Sequence, residues 1–590
     1  MIQGIGASSG IAIGKTFVLP NWEWDLPEQK IDVADLAREF DRLYEGIRTS
    51  KSEIEQMKDE LREVVGTDES QIFDAHLAIL DDPVFMNEIR GIIQRQYKAA
   101  EVAVKEAIDH FVTMFDLLDD DYMKERALDI KDVGNRLLKH LLGAPEITLP
   151  SDTQPFILVA RELSPSQLAN LNPNHVLGIV TYGGSTTSHS AIMARALGIP
   201  LVVGLESKLD SQTEPIQTGD MIIIDGGDGT VYLNPDEATI ERYTALQKKQ
   251  REDKQRLRRI AGIRPVTPDG KEVELAANIS SLKELEVALG SGALGVGLFR
   301  TEFLYMDRIR FPHEDEQFDV YRSVAEKLEG RPLIIRTLDI GGDKQLDYFE
   351  IPEEDNPFLG YRAIRICLDR RDLFKTQLRA ILRASHFGCV KIMYPLISSV
   401  EEVREANSVL AEAKMELDRE GVPYDRQTQV GVMIEVPAAV HIADLLAEEV
   451  DFFSIGTNDL VQFTLAVDRM NEQISHMYEP FHPALLRMLK ITVEAAKRAG
   501  IPVGVCGEMA GDLKALPIWL ALDIDELSMS AHSILPVKER LLRTKQSASR
   551  ELLPELLNCR TSREIHQLLQ KFMEGVDKEQ AASSGPEETA

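Results

Sequence analysis

The feature that most constrains this chain is a repeated alternation of short apolar segments with helical ones between residues 262 and 574. The segments read as strands are Leu275–Ser280, Leu294–Arg300, Leu333–Asp339, Val390–Leu396, Val430–Val436, Phe452–Asp459, Val503–Glu508 and Glu526–Ser530. Each is followed by a helical or mixed stretch. Eight such units at this length are the count and size of a (β/α)8, or TIM, barrel with insertions. Gly290-Ser-Gly-Ala-Leu-Gly295 matches a dinucleotide-binding GxGxxG letter for letter. It follows a helix and precedes a strand, the reverse of what that motif requires, and reads as an αβ turn.

A chain of 590 residues exceeds what one core can serve, which implies about three or four domains. The first residues read as strand and turn. From Ile31 the pattern is helical: Leu36, Phe40, Leu43, Ile47, Ile54, Met57 and Leu61 keep a 4,3,4 rhythm, and Met123, Leu128, Val133, Leu137 and Leu141 line one face of a later helix. Residues 31–143 therefore read as a helical bundle. Strand signals return at Phe156–Ala160, Val176–Val180, Leu201–Val203 and Met221–Ile224. These belong to a small α/β domain, residues 144–234, that takes residues 1–30 as its partner and carries the bundle as an insertion. Residues 235–261, almost wholly polar, read as a linker helix, since a helix polar all round bridges domains in solvent. Residues 575–590 read as a disordered acidic tail.

Within the α/β domain, Tyr182-Gly-Gly-Ser-Thr-Thr-Ser-His-Ser-Ala-Ile-Met-Ala-Arg195 puts His189 between a Gly/Ser/Thr turn and a helix starting near Ser190. Unpaired N–H groups and partial positive charge make a helix start an anion site. The same field disfavours imidazolium, so it keeps His189 neutral and able to take up a phosphoryl group.

Barrel enzymes build their sites at the carboxyl ends of the strands. Here those ends carry Arg300, Arg336, Glu435, Asp459 and Cys506, with Arg469 just beyond. A single surface arginine is ordinarily solvated and a buried cysteine ordinarily a small hydrophobe. It is their collection on one face that points to a ligand. Arginines fork onto phosphate or carboxylate oxygens, the pair Glu435 and Asp459 suits Mg²⁺, and a protonated Cys506 supplies a proton. Together these fit phosphoenolpyruvate losing its phosphoryl group.

At these residues the chain resembles the enzyme I family of the bacterial sugar phosphotransferase system. Phe453-Ser-Ile-Gly-Thr-Asn-Asp-Leu460, Gly297-Leu-Phe-Arg-Thr-Glu-Phe-Leu304 and Asn356-Pro-Phe-Leu-Gly-Tyr-Arg-Ala-Ile-Arg365 carry the likeness, which runs from Gly4 to the last barrel helices. The resemblance implies a relay: phosphoenolpyruvate and Mg²⁺ bind the barrel, His189 takes the phosphoryl group, Cys506 protonates the enolate, and phosphohistidine passes its group to the carrier protein HPr. It makes 1–30 with 144–234 a phosphohistidine domain, 31–143 the HPr-docking bundle, and 262–574 the substrate-binding, homodimerising barrel. Substrate contacts fall on Arg300, Arg336, Asn458, Asp459 and Arg469, with Lys344 and Arg362 as further candidates, and Mg²⁺ on Glu435 and Asp459. The chain departs from the family before the histidine: Ser185 stands where a second glycine is usual, and Thr186 where arginine is. A required left-handed backbone at Ser185 would strain the turn.

Two other readings are a non-catalytic paralogue that binds HPr-like partners, and a phosphoenolpyruvate synthase or dikinase. The second needs an ATP-grasp domain, for which residues 31–143 are short and lack a Gly-rich phosphate loop. A net charge of -31 argues against nucleic-acid and anionic-membrane binding, although screening over roughly 8 Å leaves a local arginine cluster effective. The four cysteines, Cys367, Cys389, Cys506 and Cys559, form no CxxC pair. With no signal-peptide pattern and no bilayer-length apolar run, a cytoplasmic protein is expected.

Overall fold

The computed structural model describes residues 1–583 apart from 21–25, 27–29, 65–71, 117–120, 145–154, 170, 173–174, 186–187, 206–215, 307, 343, 345, 347, 350, 353 and 472. The chain divides into two compact units, Met1–Asp253 and Lys254–Ala590.

The first unit is built on an eight-stranded mixed sheet. Its strands are β1 (Ile2–Gln3), β2 (Ile5–Ser8), β3 (Ile11–Val18), β4 (Phe156–Ala160), β5 (Val176–Thr181), β6 (Leu201–Val203), β7 (Met221–Asp225) and β8 (Thr230–Leu233). They lie in the order β1-β8-β7-β3-β4-β5-β6-β2. β3 is the hub, parallel to β4 on one side and antiparallel to β7 on the other. The N-terminal segment is thus part of this sheet.

Among the described residues, five α-helices lie between β3 and β4: α1 (Leu36–Val64), α2 (Ile72–Asp81), α3 (Pro83–Gln96), α4 (Ala100–Asp116) and α5 (Asp121–Leu142). The rhythm along α1 buries Leu43, Ile47, Ile54 and Met57. On α5 the buried face runs through Ala127, Ile130, Val133, Leu137 and Leu138, whereas Leu128 is exposed. Five residues separate Leu128 from Val133, which on a helix of 3.6 residues per turn sets them on different faces. Two short helices follow in the sheet domain, α6 (Pro165–Ala169) and α7 (His189–Leu197). Helix α8 (Glu237–Arg259) occupies the polar stretch and the two units part within it, but its Ile240 and Tyr243 pack with Ile11 and Ile223 of the sheet, so it is not polar all round as expected.

The second unit is a closed barrel of eight parallel strands: β9 (Glu274–Ile279), β10 (Val296–Phe299), β11 (Leu333–Arg336), β12 (Val390–Tyr394), β13 (Val430–Ile434), β14 (Phe452–Ile455), β15 (Val503–Val505) and β16 (Glu526–Met529). Parallel pairing closes the ring at β16 on β9, with register shifts where β10 meets β9 and β11. Leu298, Ile334, Met393, Met433, Phe452 and Cys506 form a separate apolar cluster. The glycine motif falls between helix Leu282–Gly290 and β10, as its order required.

Most strands stop short of their expected carboxyl ends, by three residues in β11 and β15 and four in β14. Residues Thr337–Asp339, Gly456–Asp459 and Cys506–Glu508 leave the ladder and turn, which frees their side chains from the strand's alternation. The last helix extends to Ser583, into the stretch expected to be a tail. Asp577, Lys578, Glu579, Gln580 and two alanines there include strong helix formers.

At the opposite end of the barrel, Glu526 and Glu274 begin their strands as direct register partners. Burial, and then Glu274, push the Glu526 carboxyl up to about 8. Below its ordinary value near 4.5 folded and unfolded chains are both protonated at this site. Between there and about 8 the unfolded chain releases a proton that the folded one keeps, so stability falls as pH rises. Glu526→Gln is therefore expected to melt near the wild type at pH 5 and several degrees above it at pH 8.5, in scanning calorimetry at both values.

Candidate active site

The residues where the strands leave the ladder form one buried chain of charges. Arg336, the last residue of β11, reaches Glu302 Oε1 at 2.6 Å and Asp339 Oδ2 at 2.9 Å. Lys344 Nζ touches the same two carboxylates at 2.7 and 3.3 Å. Arg362 Nη2 links Asp339 at 3.0 Å to Asp459 at 3.2 Å, and Arg469 meets the other Asp459 oxygen at 3.5 Å. Among these only Lys344 and Arg469 keep more than a tenth of their side chains exposed.

Buried ions survive only when opposite charge lies close. Against the cost of burial, Arg336, Lys344 and Arg362 hold Asp339 well below the usual carboxylate range, and Arg336 and Lys344 hold Glu302 down. Against the same cost, Asp339 and Glu302 raise Arg336, and Asp339 and Asp459 raise Arg362. Among the described residues Arg362 Nε and Nη1 are buried without a hydrogen-bond partner, and Glu302 Oε2 is likewise unmet.

Glu435 behaves differently. It follows β13 and accepts from Leu396 N at 2.7 Å. Burial, and then Asp459 and Asp339, push its carboxyl up to about 8. Gly456 lets the next strand end approach: a Cβ there would stand 2.7 Å from Glu435 Oε2. Asp459 sits in the first turn of helix Thr457–Leu465, where the helix dipole favours a negative charge. Two carboxylates that repel each other across a short gap fit a divalent cation, which would relieve that repulsion. Oxygen donors in so small a number suit Mg²⁺, whose remaining positions go to water or substrate oxygens.

Cys506 follows β15 and is buried, its thiol facing Ile455 O at 3.7 Å. Burial pushes it up to about 12, with Ser454 and Arg336 among the groups that oppose the rise. Asn278 of β9 donates to the Cys506 carbonyl at 2.9 Å and accepts from Ser528 at 2.7 Å, which fixes the backbone beneath the thiol. Gly507 is required by close approach, since a Cβ would lie 1.9 Å from Thr457 Oγ1. Asn458 exchanges hydrogen bonds with Glu508 at 2.9 and 3.4 Å, and Tyr478 donates to its carbonyl at 3.2 Å. Arg300, the residue after β10, is half-buried and has no ion pair among the described residues.

The structure thus brings Arg336, Lys344, Arg362, Asp459 and Arg469 into one bonded chain, with Glu435 and Cys506 coupled to it electrostatically. Asn458 adjoins Asp459, and Arg300 precedes the Thr301–Glu302 pair. Glu302, Asp339 and Asn278 were not singled out from sequence. They stood inside the quoted strand-end stretches, but nothing in their spacing marked them as counter-charges. A second open groove, about 590 Å³ and lined by Glu555, Cys559 and Lys571, lies between the last two helices and shares none of these groups.

His189 belongs to the other unit. It is the first residue of α7, one before the expected start, and Ser188 caps the helix by accepting from Ala191 N at 3.4 Å. Ser188 also donates to Ser185 O at 2.9 Å, and Thr181 donates to Gly183 O at 2.7 Å. The left-handed position in this turn is Gly184, φ 93°, while Ser185 is not among the non-glycine residues with positive φ. The sequence therefore keeps its glycine where the backbone needs one, and the expected strain at Ser185 does not arise. Thr186 and Thr187 lie outside the described residues.

Comparison with known proteins covers the whole architecture. Residues 254–546 match the phosphoenolpyruvate-binding domain of phosphoenolpyruvate-utilising enzymes, 3–126 their N-terminal domain and 153–229 their mobile domain. Phosphoenolpyruvate-protein phosphotransferase of Geobacillus stearothermophilus is 47% identical over 565 residues, 96% of each chain. The proteins of that name from Bacillus subtilis and Listeria monocytogenes are 46% and 45% identical, over 96% and 97% of this chain and 98% and 99% of theirs.

Removing one member of a buried ion pair costs about 3–5 kcal/mol, because its partner is left uncompensated. Glu302→Ala, which strips a carboxylate from both Arg336 and Lys344, is expected to lose about 3 kcal/mol. Urea unfolding of the barrel transition measures this directly.

Proposed function

This chain belongs to the phosphoenolpyruvate-protein phosphotransferase family, and from that premise we infer that it moves the phosphoryl group of phosphoenolpyruvate to His189 and then to a histidine of HPr, releasing pyruvate. The observation that carries the reading is the buried charge chain at the barrel's carboxyl end. Arg336, Lys344, Arg362 and Arg469 face Glu302, Asp339 and Asp459, and Glu435, whose raised carboxyl a bound cation would ionise, completes the balance. A divalent cation together with the unpaired Arg300 brings an excess of three positive charges, the amount needed to neutralise a fully ionised phosphoenolpyruvate.

The residues then divide the work. Arg300, Arg336, Arg362 and Arg469 hold phosphate and carboxylate oxygens, Arg362 through the buried nitrogens it leaves unbonded, with Lys344 and Asn458 beside them. Glu435 and Asp459 would hold Mg²⁺, which supplies charge neutralisation on the transferring group and the enolate oxygen. Phosphoryl transfer of this kind is mostly positioning and electrostatics, so prepositioned cations supply most of what the barrel must. A neutral His189 attacks phosphorus, and the P–O bond to the enolate breaks. Cys506 gives its proton to the enolate carbon, which yields pyruvate and leaves a thiolate near Arg336. The helix start at His189 favours the phosphate it then carries. HPr takes the group from phosphohistidine on the 31–143 bundle, and the barrel is the proposed homodimer contact. No described helix is long and apolar enough to cross a membrane.

Labelled phosphoenolpyruvate with Mg²⁺ tests the assignment. The wild type should acquire acid-labile label that chases onto HPr without ATP, and His189→Ala should acquire none. A wild type that takes up no label would falsify the catalytic reading. Cys506→Ala is expected to slow pyruvate formation about 100-fold or more, the range for a lost general acid, and to leave exchange between His189 and HPr near wild type. Equal loss in both half-reactions would make Cys506 structural.

A further inference from the structure

Helix Arg371–Ala384 contributes no charge to the chain at the barrel end, yet one of its polar residues is buried as deeply as its leucines. Gln377 is 1% exposed, beside Phe374, Leu378 and Ile381. Burying an amide forfeits water and side-chain freedom that a leucine would not forfeit, so its partners are informative. Oε1 accepts from Leu338 N at 2.9 Å. Nε2 donates to Thr301 Oγ1 at 3.1 Å and to Tyr321 OH at 3.3 Å. The Thr301 hydroxyl in turn donates to the Arg336 carbonyl at 2.9 Å.

These bonds lie where the barrel ladder has run out. β10 ends at Phe299 and β11 at Arg336, and Thr337 N makes the next bond, to Met393 O at 2.9 Å. Leu338 N, one residue on, is held by the Gln377 side chain instead. The amide therefore stitches the end of β10 to the end of β11 from outside the barrel. Thr301 stands between Arg300 and Glu302, and Leu338 immediately precedes Asp339. Through Thr301 the stitch also reaches the backbone of Arg336. Four groups of the charge chain and its flank thus sit on, or next to, an atom that Gln377 fixes. Tyr321 continues the network by donating to Gln317 Oε1 at 3.2 Å, which also takes a bond from Tyr305 at 3.0 Å.

We propose that Gln377 is a positioning residue for the phosphoenolpyruvate half-reaction, holding the β10 and β11 ends so that Arg300 and Arg336 meet the transferring phosphoryl group in register. The proposal rests on the functional reading given above. Misplacement of binding groups by about 1 Å is enough to cost roughly 10²-fold in rate, so a residue that never touches substrate can control kcat.

Gln377→Met preserves length and volume and removes all three bonds. Its kcat/KM for phosphoenolpyruvate should fall about 10- to 100-fold, mostly in kcat, with phosphoryl exchange between His189 and HPr unchanged. Thr301→Val, which removes the Gln377–Thr301 bond and the Thr301 bond to Arg336 but leaves Leu338 N held, should give a smaller loss of the same kind. Gln377→Glu, which keeps an acceptor for Leu338 N, should recover part of the rate. Wild-type kcat and KM in Gln377→Met, measured well below its melting temperature, would overturn the proposal, as would equal loss in both half-reactions. Should Gln377→Met not fold, an unchanged kcat in Thr301→Val overturns it and a reduced one supports it. A wild type that makes no pyruvate from phosphoenolpyruvate defeats the functional reading itself, an outcome separate from an active wild type matched by Gln377→Met.

Discussion

The ion pair between Arg336 and the carboxylates of Glu302 and Asp339 is the constraint on which the rest of the barrel end depends. A guanidinium and two carboxylates cannot be taken out of water unless each neutralises another. Satisfying that requirement draws the ends of β10 and β11 together. Asp339 brings in Arg362 from within the Asn356–Arg365 motif, and Arg362 brings in Asp459 from the helix that follows β14. One electrostatic chain therefore gathers groups from loops far apart in sequence. It leaves a few donors unmet, and these are the ones available to a ligand.

The architecture was legible because it is written in periodicity. Eight apolar segments and the polar character of α8 follow from which faces are buried, and a residue's face is a local property. The strand ends were not legible in the same way. Phe452–Asp459 reads as one strand because Phe452, Phe453 and Ile455 start it and no proline breaks the stretch that follows. The chain leaves the ladder after Ile455 because Asp459 and Glu435 must converge, a requirement set by a residue more than twenty positions away. Glu302 and Asp339 were missed for a related reason. Their partners are arginines and a lysine brought together by the fold, so their spacing carries no signal. Leu128 failed more simply, since a leucine can be placed five residues off the buried face of α5 and still look periodic in a short window.

The turn before His189 shows the converse, where letters mislead and geometry settles the matter. Against the family pattern Ser185 replaces a glycine, which suggests a strained backbone. The left-handed residue is Gly184, so the substitution at Ser185 falls where positive φ is not needed. The cap from Ser188 and the bonds through Ser185 O and Gly183 O make a helix start whose first residue is the histidine. Loop letters are interchangeable so long as φ is served at the one position that needs it.

The acidity of Cys506 connects the charge chain to the direction of the proposed reaction. A thiol raised to about 12 holds its proton throughout the physiological range, so it is present as a donor and absent as a competing nucleophile. An enolate carbon accepts the proton even from so weak an acid, because the C–H bond it forms belongs to a far weaker acid than any thiol, and the transfer runs downhill. Arg336 is among the groups that favour the thiolate, and the same guanidinium is proposed to hold the substrate's phosphate. When the phosphoryl group departs to His189 the cation loses an anion, and when Cys506 gives up its proton it gains one. Arg336 thereby couples the two halves of the chemistry. On the proposed reading the thiolate is stabilised most once the phosphate has left, which would order protonation after transfer.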